Sequence, residues 1–232
     1  MIQIYAAENR YQVNAGWLQS RLSFSFGEYY DPNNTDFGVM RVCNDDVVAA
    51  GRGFGAHPHS DMEIVTIVLE GAVQHSDNLG NSEITSAGEV QRMSAGTGVV
   101  HAEFNASKTE PTRFLQLWFE PRELGLFPTY ETRPYDSKQL RNTLLPVVTP
   151  EGSEQAAMIN QDVTLYLSRL DQGKSLPFEQ EEGRRVFMFV IEGQVTVNGQ
   201  QLNEGDTARI ESESYLSIEA EKDAFMMLID LP

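Results

Sequence analysis

Two short stretches hold the residues best suited to chemistry: His57-Pro58-His59, and Gly96-Thr97-Gly98-Val99-Val100-His101-Ala102-Glu103. Each carries two good metal ligands at i and i+2. Alternate residues of a β-strand point to one face, so each pair presents both side chains to the same side. Two such strands facing each other across a barrel would bring three imidazoles and one carboxylate to a point. Three nitrogens and one oxygen suit a first-row divalent ion such as iron, manganese, nickel, cobalt, copper or zinc. Three of the chain's 4 histidines fall in these pairs, which argues against chance placement.

The elements that must position these residues read as strands. Ile64-Val65-Thr66-Ile67-Val68-Leu69 is apolar or β-branched on both faces, as in a strand inside a barrel or sandwich. It ends at Glu70-Gly71. Ala72–His75 continues into the hairpin loop Asp77–Asn81, and Val90–Met93 and Phe114–Phe119 follow as further strands. Upstream, the alternation of Phe24 and Phe26 with serines predicts a strand with one buried face, closed by the turn Asp31-Pro32-Asn33-Asn34. Gly38–Val42 and Asp46–Ala50 read as two more strands. Pro121, Gly125 and Pro128 break the pattern and place the connection between halves at about 121–140. Ser137–Leu145 reads as a short helix stopped by Pro146.

The second half echoes the first. Val186–Ile191 followed by Glu192-Gly193-Gln194-Val195 matches Ile64–Leu69 followed by Glu70-Gly71-Ala72-Val73, and Asn198-Gly199 supplies a tight hairpin turn. Short strands, glycine turns and an internal duplication indicate two related β-sandwich or barrel domains. The ligands are not duplicated. A fixed offset puts Glu179 and Glu181 at the places of His57 and His59, and Ile218 and Ala220 near those of His101 and Glu103. One barrel is expected to hold a metal and the other to be filled.

The totals exclude several classes. With 232 residues, 41 % hydrophobic and 22 % charged, the chain reads as an ordinary globular protein with ample core. A net charge of −17 argues against nucleic-acid binding, and the densest basic run is Arg184-Arg185. Cys43 is the single cysteine, so no intrachain disulfide forms; on its apolar strand it reads as an inert buried thiol. The opening Met1–Glu8 has neither the basic nor the apolar region of a signal peptide. No apolar run approaches the roughly 18 residues of a membrane span. A cytoplasmic protein without membrane contact is the expectation.

The motif Gly51-x5-His57-x-His59-x3-Glu63, followed by Gly98-x2-His101-x3-Asn105, resembles the paired motifs of the cupin superfamily. Within it, His-Pro-His with Gly-x-Gly-x-x-His-x-Glu is similar to the pirin family, above all its bacterial quercetin 2,3-dioxygenase branch. The likeness extends through Gly16-Trp17-Leu18, Phe24-Ser25-Phe26, Tyr30-Asp31-Pro32 and His57–Gly71. Ser60-Asp61-Met62 departs from the Gly-Phe of animal pirins. Glu63 comes one residue earlier than the acidic ligand of many cupins, Gly88 lies two residues too early, and Gly96 stands where a proline is usual. Pirins share these features and take their fourth ligand from the second motif.

The resemblance therefore implies an all-β bicupin with few short helices: residues 1–135 as the metal-binding cupin domain, 136–232 as a cupin-like domain without ligands. The implied ligands are His57, His59, His101 and Glu103, holding one divalent ion, iron first. The implied activity is dioxygen-dependent cleavage of the central ring of a flavonol with loss of carbon monoxide, with Glu103 as the base for the 3-hydroxyl. The other reading is a non-enzymatic regulator whose metal state controls a protein partner. Of the neighbours, Glu63 is expected beside the ligands in the cavity. His75 is expected at the surface or supporting a ligand, and Trp118 and Phe104 in the core or pocket wall.

Overall fold

The computed structural model describes all 232 residues and is built almost entirely of strands. No helix is long and apolar enough to cross a membrane. In chain order the strands are β1 (Ile2–Tyr5), β2 (Tyr11–Asn14), β3 (Leu18–Leu22), β4 (Met40–Val48), β5 (Gly53–His59), β6 (Glu63–Glu70), β7 (Ala72–Asp77), β8 (Ser82–Ser86), β9 (Glu89–Ser94), β10 (Val99–Asn105), β11 (Thr112–Phe119) and β12 (Thr129–Pro134). Then come β13 (Leu145–Thr149), β14 (Ala157–Met158), β15 (Thr164–Leu170), β16 (Ser175–Glu179), β17 (Arg185–Val197), β18 (Gln200–Asn203), β19 (Thr207–Glu211) and β20 (Tyr215–Leu231).

Two compact units result. One comprises Tyr11–Tyr135 with Pro150–Gln161; the other comprises Met1–Arg10, Asp136–Thr149 and Asp162–Pro232. The first pairs a sheet of order β12-β9-β6-β11-β4-β3-β2 with a second of order β5-β10-β7-β8. In the other, the sheet path runs β1-β19-β17-β20-β15-β13, with β16 on β20 and β18 on β17. The duplication is visible in this order. β9-β6-β11-β4 in one unit has the connectivity of β19-β17-β20-β15 in the other.

What differs is the filling. In the first unit the register aligns Gln91 with Thr66, Thr66 with Gln116, and Gln116 with Asn44, so one row of four polar side chains crosses four strands. Apolar clusters lie to either side: Ile64, Met93 and Val99 in one, Val48, Val68, Val73 and Phe114 in the other. Aligning Glu70-Gly71 with Glu192-Gly193 puts Met188 in the place of Thr66. Its row reads Ala208, Met188, Leu228, Tyr166, all within or against the apolar core of that unit. Register also pairs Ile218 with Leu176, so Glu179, at the exposed end of β16, is not the counterpart of His57 that a fixed offset suggests.

Three local expectations are corrected. Phe24–Phe26 is not a strand: Ser25 Oγ donates to the Asp31 carbonyl and accepts from the Asp31 amide, closing an irregular loop in which Phe26 bridges only to Tyr29. Gly38–Val42 and Asp46–Ala50 are one strand, β4. Its polar middle is accommodated because Asp45 pairs with Arg113 while Asn44 and Asp46 line a cavity. The helix at 137–145 is a single 3-10 turn, Ser137–Leu140, capped by the Asp136 carboxylate, and Leu145 already begins β13.

Gly193 shows how the long strand β17 survives its bulges. Its φ is +82°, and an added Cβ would lie 2.0 Å from the Asp223 carbonyl oxygen, whereas Gly199, at φ +77°, faces open space. Gly199→Ala should therefore cost only the left-handed strain, about 1–2 kcal/mol. Gly193→Ala should add a packing clash of about 1–3 kcal/mol. Chemical denaturation of the two variants checks the difference; equal costs would contradict the clash.

Candidate metal centre

β5 and β10 carry the four expected ligands and lie side by side, antiparallel. His101 stands opposite His57, but Glu103 stands opposite Phe54, so β5 carries an extra residue between them. This bulge at Gly55-Ala56 lets Phe54 and His57 both line one cavity despite their odd separation. It also fixes His57. The Gly55 carbonyl, which can only accept, lies 2.7 Å from His57 Nδ1. The proton therefore sits on Nδ1, and the Nε2 lone pair is left for the cavity. Gly53 allows β5 to press this close, since an added Cβ would meet the Glu103 carbonyl oxygen at 2.3 Å.

His101 is fixed from the opposite side. Asp77 accepts from the Leu79 and Asn81 amides, at 2.9 and 3.0 Å, and from Asn81 Nδ2 at 2.7 Å. It also takes His75 Nε2 at 3.0 Å. With its Nε2 proton given to Asp77, a neutral His75 offers its Nδ1 lone pair to His101 Nδ1, 3.4 Å away. His101 donates there, which leaves its Nε2 unprotonated. The two Nε2 atoms of His57 and His101 face each other at 3.1 Å. Nitrogens in adjacent positions about one first-row ion, each ~2.1 Å from it, stand roughly 3 Å apart. The pair has the spacing of ligands to a common cation.

His59 completes the cluster, with ring nitrogens of His57, His59 and His101 within 4.8 Å of one another. Burial, then His101 and His57, push its pKa down to about 4. Burial, then His57 and His75, push that of His101 down to about 3. Both rings are therefore neutral near pH 7, the state in which imidazole ligates a metal.

Glu103 lines the same cavity, is 3 % exposed, and has an oxygen within 4.8 Å of ring nitrogens of His101 and His75. Its Oε1 accepts from Gln91 Nε2 and its Oε2 from Gln116 Nε2, each at 2.8 Å. Thr66 Oγ1 donates to Gln116 Oε1, and the Tyr130 hydroxyl donates to Gln91 Oε1. Burial raises the Tyr130 pKa to about 12, so that proton stays in place. No lysine or arginine pairs with Glu103. A buried carboxylate without a cation is strongly unfavourable, and a bound divalent ion would remove that deficit. The donor set therefore fits the metal.

The cavity, of about 50 Å³, is completed by Phe26, Asn44, Asp46, Phe54, Ile64, Gln116 and Trp118. Trp118 packs edge-on against His59 at 4.8 Å. Glu63 is absent from this lining. The turn at Asp61, φ +47°, interrupts the strand, so parity does not carry from His59 to Glu63. Glu63 instead accepts from Ser94 Oγ at 2.5 Å and from the Asn160 amide and Nδ2 at 3.2 and 3.3 Å. Phe104, adjacent to Glu103 on the opposite face of β10, is 40 % exposed rather than in the pocket wall. His75 is fully buried, and its two nitrogens already serve Asp77 and His101, so it supports a ligand rather than acting as one. Cys43 is buried and forms no disulfide. Sequence reasoning passed over Gln91, Gln116, Thr66 and Asn44. Their signal was a polar residue at inward parity within an apolar strand.

Residues 5–119 match the family model described as Pirin, and residues 146–231 match that described as Quercetinase C-terminal cupin domain. The chain is 44 % identical over 232 residues to the quercetin 2,3-dioxygenase of Escherichia coli K12, covering 100 % of this chain and 99 % of that one. It is 40 % identical over 216 residues to a pirin-like protein of Caulobacter vibrioides, covering 93 % of each. The crystal structure of the bacterial pirin YhhW from E. coli in complex with nickel(II) superposes with a TM-score of 0.95 at 43 % identity, over 100 % of this chain and 99 % of that one.

His75→Phe keeps a ring to stack on Tyr130, 4.3 Å away, but removes the acceptor for His101. Metal affinity should fall about 10–100-fold. Competition titration with a chelator measures it, and an unchanged affinity would show that His75 does not hold the tautomer of His101.

Proposed function

The chain belongs to the pirin family, and from that premise we propose that it is a metal-dependent dioxygenase opening the central ring of flavonols such as quercetin, with release of carbon monoxide. The observation that carries this reading is the meeting, in one cavity, of a cation-seeking cluster and aromatic walls. His57, His59, His101 and Glu103 would hold the ion, iron first among the first-row metals. When bound, such an ion supplies the Lewis acidity and redox capacity that flavonol and dioxygen require.

The rest falls to the chain's own residues. Phe26, Phe54, Ile64 and Trp118 make the walls largely apolar, which excludes water and strengthens electrostatic interactions inside. A space of about 50 Å³ admits the ring edge bearing the 3-hydroxyl and 4-carbonyl, with the remainder of a flavonol directed to the mouth. Glu103 would take the 3-hydroxyl proton. The Gln91 and Gln116 amides each engage one of its oxygens, leaving lone pairs for the incoming proton. The same amides stabilise the anion, so the transfer works only for a hydroxyl whose own acidity is raised in the site. Dioxygen would then bond to C2 and C4 while its O–O bond and the C2–C3 and C3–C4 bonds break. C3 leaves with its own oxygen as carbon monoxide, both atoms of dioxygen stay in the depside, and the proton held by Glu103 returns to that product.

Metal-free protein reloaded anaerobically with each first-row ion, then given quercetin and dioxygen, should bleach the flavonol absorbance and evolve carbon monoxide with at least one ion. No turnover with any ion, alongside metal-dependent capture of a protein partner, would replace this reading with the regulatory one. Glu103→Gln should retain part of the bound metal and lower kcat by about 100-fold or more. Undiminished kcat in this variant would dismiss the proton-accepting role.

A further inference from the structure

The row that supports Glu103 has four members, and three are committed. Gln91 and Gln116 donate to the carboxylate, and Thr66 donates to Gln116. The fourth, Asn44, stands directly opposite Gln116 on β4 and is 3 % exposed. Its Oδ1 is buried in the cavity wall with no donor. Trp118 follows Gln116 by two residues on the same face of β11 and stands opposite Val42, so it is the diagonal neighbour of Asn44. Diagonal neighbours in an antiparallel pair are about 7–8 Å apart, a gap that an aromatic side chain reaches across. Its indole Nε1 is likewise buried and without an acceptor. Unmatched buried polar atoms are uncommon, and here an unmatched acceptor and an unmatched donor belong to neighbouring residues that line one cavity.

We propose that Asn44 and Trp118 form a subsite for a neutral hydroxyl carried on the substrate's aromatic rings, separate from the oxygens directed at the metal ligands. The proposal rests on reading this cavity as a flavonol site. A hydroxyl answers both atoms at once: its O–H donates to Asn44 Oδ1, and its oxygen accepts from Trp118 Nε1. A phenolate or carboxylate would suit the indole but would face the lone pairs of the amide oxygen, so the pair selects the protonated group. The surroundings suit a ring. Phe26 meets Trp118 edge-on at 5.3 Å, Phe54 lines the same cavity, and Trp118 touches the ligand His59 at 4.8 Å. A hydroxylated ring held here would be registered against the metal ligands.

Anaerobic binding to the metal-loaded protein tests this with quercetin and with 3-hydroxyflavone, which keeps the 3-hydroxyl and 4-carbonyl but has no further hydroxyl. The readout is the ratio of the two affinities, which a general disturbance of the cavity moves little. Wild type should favour quercetin, and Asn44→Leu and Trp118→Phe should each reduce that preference about fivefold, the worth of one neutral hydrogen bond. Two variants guard against misfolding of either. A preference unchanged in the folded variants overturns the subsite and leaves water as its occupant. Binding without turnover would sink the dioxygenase reading alone, since the ratio still judges the subsite. If neither flavonol binds, the flavonol reading fails and phenol against anisole decides the subsite: equal affinities overturn it, and a phenol preference lost in Trp118→Phe supports it.

Discussion

Two imidazole Nε2 atoms held face to face across 3.1 Å are the constraint on which the site depends. Neither ring can change tautomer at little cost. Reversing His57 would set a lone pair against the Gly55 carbonyl, and reversing His101 would set one against His75 Nδ1. The hydrogen bonds that set this arrangement are made outside the cavity, by a bulge carbonyl on one strand and by an Asp-His pair on another. The scaffold thus holds both rings in the orientation that a cation needs, before any cation arrives. Glu103 adds a negative charge to the same place and has no basic side chain to offset it.

Such an arrangement is unfavourable for the protein alone, and the fold confines it to one layer. The polar row Gln91, Thr66, Gln116, Asn44 is one residue deep on β9, β6 and β11, with Asp46 also facing inward on β4 and apolar clusters to either side. The second unit has the same strand connectivity, and there the matching row is Ala208, Met188, Leu228, Tyr166. The duplicated scaffold therefore isolates what the site requires. Four inward positions in one transverse row separate a barrel that can hold a charged ligand from one that is simply packed.

The sequence made the two barrels and the ligand-bearing strands legible because both depend on local patterns: i, i+2 spacing, glycine turns, and a strand followed by Glu-Gly. It was less informative wherever contacts join distant segments. Gln91 and Gln116 lie on strands whose neighbours are apolar, and only the register shows that they converge on Glu103. Asn44-Asp45-Asp46 suggested a break between strands, because nothing local reveals that Asp45 meets Arg113 while its neighbours turn inward. Phe24-Ser25-Phe26 alternates like a strand, yet two hydrogen bonds from one hydroxyl to Asp31 decide otherwise.

The two buried glutamates show the same limit in sharper form. Glu63 and Glu103 both follow a metal-binding histidine candidate in sequence, both are nearly inaccessible, and both accept hydrogen bonds from neutral donors. Their roles differ through strand continuity. His101 and Glu103 share one unbroken strand, so i+2 spacing keeps both on the cavity side. Between His59 and Glu63 the chain turns through Asp61, the count of alternate faces restarts, and β6 points Ile64, Thr66 and Val68 inward instead. Glu63 is left on the other face, where it ties β6 and β9 to the segment around Asn160. Parity predicts a ligand only along a strand that does not bend. Here that condition, rather than residue type or burial, separates the carboxylate facing the histidines from the one that fastens the barrel.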